Sequence, residues 1–336
     1  IHGDVTMPLP FILAGAAIVA GGYGVKKGID AKDDFDTAKR VNRRAQSMFD
    51  EAKSELEEER ELTQKAMENL GQAKYKIYNE SIIPFVDVFS KIKNVSFEDN
   101  NLDDATNLPV MSAGELARMK SSVLEIKGVL SGGITALGSG GLAGLAAYGG
   151  VGVLGTASTG TAIGTLSGAA ATNATLAWLG GGSLAAGGYG MAGGMMVLGG
   201  VVAGPVLAVG GMMMASKAEA AKEDAYGNLD KAELASEQMK EARVAASGIR
   251  LRFEEITKVL RSLELRFQPL LQSLNELVES NTNYSTYSEE DRKGVMIAAS
   301  TAKVLKNLLE APIIDKKGTL TPESRKVLEE TKKIIA

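Results

Sequence analysis

The sequence predicts an all-α protein, a long antiparallel coiled-coil stalk with a glycine-rich hydrophobic helical hairpin or bundle at one end. Three observations predict it. Small and apolar residues recur at alternating steps of three and four through two charged stretches. The 89 positions between them, 128–216, contain no Asp, Glu, Lys or Arg. Within those positions glycine returns at every fourth residue, a helical spacing for a residue that costs a helix in water roughly 1 kcal/mol relative to alanine. Charge therefore divides the 336 residues into five parts: an apolar leader (1–28), a first charged helical arm (29–127), the uncharged region (128–216), a second long arm (217–281) and short C-terminal helices (282–336).

The leader carries no charge over residues 5–25 and repeats a small residue every fourth position at Ala16, Ala20, Gly24 and Gly28. Its lysines, Lys26 and Lys27, follow the apolar run instead of preceding it, so it does not read as a secretory signal. A retained helix that packs with, or inserts beside, the centre is expected.

The first arm holds 17 basic and 20 acidic residues over 26–127. One helix is predicted from about Asp30 to Asn79. Its seam runs Ala38, Val41, Ala45, Met48, Ala52, Leu56, then Leu62, Ala66, Leu70, Ala73 and Ile77, and the remaining faces, including the acidic run Glu57, Glu58, Glu59 and Glu61, are expected to meet water. Pro84 should break or kink the pattern. Ser96 to Asn107 reads as a loop, and Ser112 with Glu115 forms a capping box that opens a shorter helix.

The uncharged centre is too long to be an ordinary surface, since about a quarter of the residues in a soluble domain are charged. Its length would supply three or four spans of about 20 residues. Positions 128, 132, 136 and onward to 168 share one four-residue phase. Eight of those eleven are glycine: Gly128, Gly132, Gly140, Gly144, Gly152, Gly160, Gly164 and Gly168. Gly190 with Gly194 and Gly200 with Gly204 repeat the spacing. This is the small-residue ridge by which membrane helices approach closely. Stretches such as TASTGTAIGTLSGAAATNAT are only modestly hydrophobic, and no short basic loop sets a topology. A chain that folds first, hides its centre and inserts later fits these features better than direct insertion. Breaks are expected at Asn173, Gly180–Gly182 and Pro205.

The second arm has one long seam, from Ala218, Ala221 and Ala225 through Leu229, Ala232, Ala235, Met239, Ala242 and Ala246 to Ile249, Phe253, Ile256, Leu260, Leu263, Phe267 and Leu270. Its alanine half permits close helix approach, and its large apolar half a thicker bundle. In the tail, Ser288 before Glu289, Glu290 and Asp291 starts one helix. Thr321 before Pro322 starts another. Both are expected to fold back on the stalk.

No residue pattern points to an enzyme or a cofactor. The chain has no cysteine, which rules out thiolate sites, and with one histidine, His2, near its start a zinc site is not expected. The glycine clusters lack the Lys-Ser/Thr ending of a phosphate loop. Met191, Met195, Met196 and Met212 to Met214 suit adaptable packing better than copper. Trp178 and Tyr189 fit a lipid–water boundary and plain packing equally. A net charge of −4 offers no basic face to nucleic acid.

The stretch MPLPFILAGAAIVAGGYGVKKGIDA from Met7, with TLAWLGGGSLAAGGYGMAGG at Thr175 to Gly194, resembles a family of bacterial proteins of unsettled function, some with a chemotaxis label. The resemblance covers most of the chain and implies that residues 1–6 are an upstream extension; with no secretory signal recognised, a cytoplasmic or membrane-associated bacterial protein is expected. The architecture is also similar to α-helical pore-forming toxins of the cytolysin A type, with a much longer uncharged element. The expectation is a membrane-active protein that homo-oligomerises through glycine-mediated helix packing, with pore formation in a toxin or defence setting its most concrete version. Two other expectations are a scaffold forming a ring or filament without a pore, and a monotopic coat on a lipid surface. Lipids and further copies of the chain are the partners expected.

Overall fold

The computed structural model describes residues 25–97, 108–130, 145–146, 218–315 and 319–335. Helices take up 87% of what is described, and no strand occurs among those residues. In chain order the helices are α1 (Val25–Ile77), α2 (Ile83–Phe89), α3 (Ala113–Leu130), α4 (Ala218–Ser280), α5 (Glu289–Glu310) and α6 (Pro322–Ile335). At 1.5 Å per residue α1 is about 80 Å long and α4 about 95 Å.

The start of α3 follows from local chemistry. Ser112 Oγ accepts from the Glu115 amide at 3.2 Å, and Glu115 Oε2 accepts from the Ser112 amide at 2.9 Å, the reciprocal bonds of a capping box. Ser288 caps α5 by accepting from the Asp291 amide at 3.1 Å, and Thr321 caps α6 by accepting from the Ser324 amide at 3.1 Å. The loop expected over Ser96 to Asn107 lies mostly outside the described residues.

Pro84 does not end the first arm; it changes its winding. Residues Tyr78–Ile82 form a π-helical turn in which the Ile83 amide bonds back to the Tyr78 carbonyl, and α2 continues with Pro84 in its first turn. Proline supplies no amide to the carbonyl four residues earlier, that of Glu80. Gln268 of α4 supplies the missing donor, at 3.3 Å to Glu80 O and 2.9 Å to Ser81 Oγ. A second proline, Pro269, lies inside α4 at the same level and lines one cleft with Pro84.

The two long helices pack side by side along most of their lengths, and they run parallel. Asn228 bonds Asn42, Ser236 bonds the Met48 carbonyl, Arg243 pairs with Glu55, Arg250 with Glu59, and Gln268 with Glu80. Residue numbers climb together on both helices; in an antiparallel pair one series would fall. Further along, Lys93 and Asn283 continue the match as an isolated parallel bridge. The expected antiparallel pairing is therefore corrected. A seam fixes which face of a helix is buried but not the direction of its partner, because steps of three and four read alike from either end.

The buried faces follow the seams closely. On α4, Ala225, Ala232, Ala235, Met239, Ala242, Ala246, Ile249, Phe253, Ile256, Leu260, Leu263 and Phe267 are all buried. On α1, Val41 and Met48 are only half-buried, and Leu62 is 42% exposed with Thr63 buried in its place. Thr63 Oγ1 lies 2.8 Å from the Glu59 carbonyl and 3.2 Å from the Ala246 carbonyl, which satisfies the hydroxyl between the helices. Glu59, expected on a solvated face, is largely buried against Arg250, with Oε1 at 2.7 Å from Nε.

At the thick end, α5 is a core helix. Val295, Met296, Ala298, Ala299, Ala302, Val304, Leu305, Leu308 and Leu309 are buried in one apolar cluster shared with α4, α2 and α3 that includes Phe85, Phe89 and Phe267. Phe85 sits edge-on to Phe267, with ring centroids 5.8 Å apart. α6 lies across α4, where Arg252 donates to Ser324 Oγ at 3.2 Å and Lys332 pairs with Glu255. Both tail helices pack on the second arm, as expected.

Candidate functional site

Lys74 is the one lysine buried completely among the described residues. Its position follows from the α1 seam: Thr63, Met67 and Leu70 step by four and three, and the next step of four is Lys74. Burial of an ammonium is costly without a partner. Here Nζ donates to the carbonyl of Ala146 at 3.0 Å. Desolvation lowers the Lys74 pKa from an ordinary 10.5 to about 7, with the Glu310 carboxylate at the end of α5 opposing the shift. The amine is therefore close to half-neutral near pH 7.

Tyr78, one turn further along, shares this buried face. Its hydroxyl is buried without a hydrogen-bond partner among the described residues, and desolvation, with Glu310 adding to it, raises its pKa well above the ordinary value. Glu310 itself is held by Lys306. Amine and phenol thus form a polar island inside the apolar cluster that α1, α3, α4 and α5 share, with the partly exposed Glu310 carboxylate acting on both from its edge.

The acceptor is what gives the island its interest. Ala146 belongs to the uncharged centre, and it and Leu145 are the residues of that centre beyond α3 that the structure describes. Both are buried in the apolar cluster of the charged helices. A lysine from the first arm thus holds the backbone of the uncharged region inside the bundle.

Of the small residues expected to pack helices, Gly28 falls within α1 and Gly128 within α3. Ala16, Ala20, Gly24, Gly132, Gly140, Gly144, Gly152, Gly160, Gly164, Gly168, Gly190, Gly194, Gly200 and Gly204 lie outside the described residues. Lys74 was not visible as a special residue in the sequence, because it sits among eight other charges between Lys53 and Lys76 on α1 and the apolar list passes over it through Ala73 and Ile77. Tracing the seam from Thr63 instead of Leu62 would have found it.

Among the described residues, no helix is long and apolar enough to cross a membrane. No protein-family model, no curated protein and no solved structure matches the chain.

Proposed function

We propose that the chain is a membrane-active helical protein that homo-oligomerises through glycine-mediated helix packing. In this reading the paired charged helices are a coiled-coil stalk, and residues 128–216 are the element that assembles and inserts. Pore formation in a toxin or defence setting is the activity it fits. The observation that carries the reading is the burial of Leu145 and Ala146 in the charged bundle, with Lys74 holding the Ala146 carbonyl. A region with 89 uncharged positions needs shelter before it meets lipid or further copies of itself, and the bundle shelters its beginning.

The same burial also favours a second reading, a ring or filament scaffold in which the uncharged region packs on protein throughout. Assembly is common to both readings and is tested first. Expressed without detergent, the wild-type chain should elute as a large oligomer by size exclusion with light scattering, or be recovered wholly in membranes. Replacing Gly160, Gly164 and Gly168 together by leucine should abolish that assembly, because a leucine ridge keeps the backbones apart. Oligomers of unchanged mass in the triple variant would refute glycine-mediated packing.

A further inference from the structure

We propose that the ridge of α4 and its groove with α1 around Leu62 and Leu265 dock on an anionic lipid surface, with the bundle lying along the plane of the bilayer. This rests on the membrane-active reading above and adds to it the face and the lipid class. On α4, Val244, Leu251 and Leu265 are 69%, 54% and 76% exposed. Their spacings of seven and fourteen residues place them on one side of the helix. That side lies between the flank that binds α1 through Arg243 and Arg250 and the flank that meets α6 through Arg252 and Glu255. The ridge runs over 21 residues, about 30 Å.

Leu62 of α1 and Leu265 of α4 flank a groove of about 560 Å³ that Lys65, Lys258, Arg261 and Glu254 also line. Glu254 is engaged by Arg250 at 3.1 Å. Lys65 and Lys258 have no carboxylate partner among the described residues, so the groove keeps a positive excess in a chain of net charge −4. Protruding leucines flanked by long cations suit the boundary of a bilayer: the leucines enter below the headgroups and the lysine stems reach up to the phosphates. The ridge stands out between its neighbours, which suits a broad surface better than a single docked peptide.

The bundle is long compared with the thickness of a bilayer. Asn42 lies beside Asn228, Lys74 is 32 residues beyond Asn42, and Ala218 is ten residues before Asn228. Ala146, bound to Lys74, is therefore roughly 60 Å along the bundle from the start of α4. That separation is twice the roughly 30 Å hydrocarbon thickness of a bilayer. A ridge that runs along α4 can meet one surface over its whole length only when the bundle lies flat.

The test is flotation of the full chain with phosphatidylcholine vesicles, with and without 30% phosphatidylglycerol, comparing wild type with K65E/K258E/R261E. A charge-matched control, K39E/K91E/R325E, reverses three exposed cations elsewhere, and circular dichroism checks that both variants keep the helical content of wild type. The wild type and the control should float with the anionic vesicles. The groove variant should partition at least about 100-fold less, the loss expected for removing three cations at an anionic surface, to which the three glutamates add repulsion. L251Q/L265Q, which keeps the charges, should also float less. Equal flotation of wild type and groove variant would overturn the docking face while leaving the membrane-active reading standing. Failure of the wild type to float on any vesicle would overturn both. A groove variant that floats normally but changes oligomer mass without lipid would show a contact between copies, and would equally overturn the proposal.

Discussion

At the scale of single residues, Lys74 shows how one side chain couples the charged arm to the uncharged centre. Its pKa is lowered on folding, so the folded state holds this proton less tightly than the unfolded chain does. Below about pH 7 both states carry the charge and the full burial penalty applies. Between about 7 and 10.5 the buried amine loses its proton while the unfolded lysine keeps it, so the unfolded state binds more protons and stability rises with pH. Urea midpoints of the wild type should climb from pH 7 to 9.5, and Lys74→Met should remove most of that slope. An identical slope in the variant would mean that Lys74 is not the titrating group. The sequence shows that a lysine is present; its burial depends on α5 and on Leu145 and Ala146 closing over it, and no local pattern reports contacts made by residues 72 positions away. Thr63 and Leu62 make the same point in reverse. A rule that prefers the more apolar of two neighbours chose the exposed leucine, while the threonine was buried because two carbonyls stand ready to receive its hydroxyl.

At the scale of elements, most of the helices were legible, because caps and seams are local properties. Ser112 with Glu115, Ser288 with Asp291, and Thr321 before Pro322 mark helix starts from side-chain chemistry that needs no distant partner. The seam of α4 is buried from Ala225 to Phe267 except at the half-buried Leu229. What happens at Pro84 was not legible: the break became a π-helical turn because Gln268, on another helix, supplies the donor that proline lacks. The alanine half of the α4 seam sets how closely α1 approaches. Ala235 is fully buried in the cluster that holds Leu56, with Phe49 packed against it. Ala235→Leu should therefore cost about 2 kcal/mol by overpacking. Leu234→Ala, on the exposed side next to it, should change stability by less than about 0.5 kcal/mol. Chemical denaturation of the two variants checks the contrast, and equal costs would mean that the face is assigned wrongly.

At the scale of the whole molecule, the direction of the long helices decides what the uncharged region can do. The sequence suggested an antiparallel stalk because that needs the simplest connection; the parallel register instead sets Ala146 and Ala218 far apart along the bundle. Direction was illegible because the seams carry no polarity, and the pairs that reveal it, such as Arg250 with Glu59, are two among many charges on each arm. The chain has no cysteine, so N42C/N228C is a clean test of direction. A short bis-maleimide should link the two thiols within one chain, whereas an antiparallel pair joined near Ile77 and Ala218 would hold them roughly 40 Å apart. The claim that joins all three scales is that a charged helical bundle shelters an uncharged region until it enters a membrane. Release of a self-quenched dye from phosphatidylglycerol-containing vesicles tests it most directly. The account predicts release by the wild-type chain that falls sharply in the Gly160, Gly164 and Gly168 to leucine variant; vesicles that stay sealed around bound, oligomeric wild type would contradict pore formation and leave the scaffold in its place.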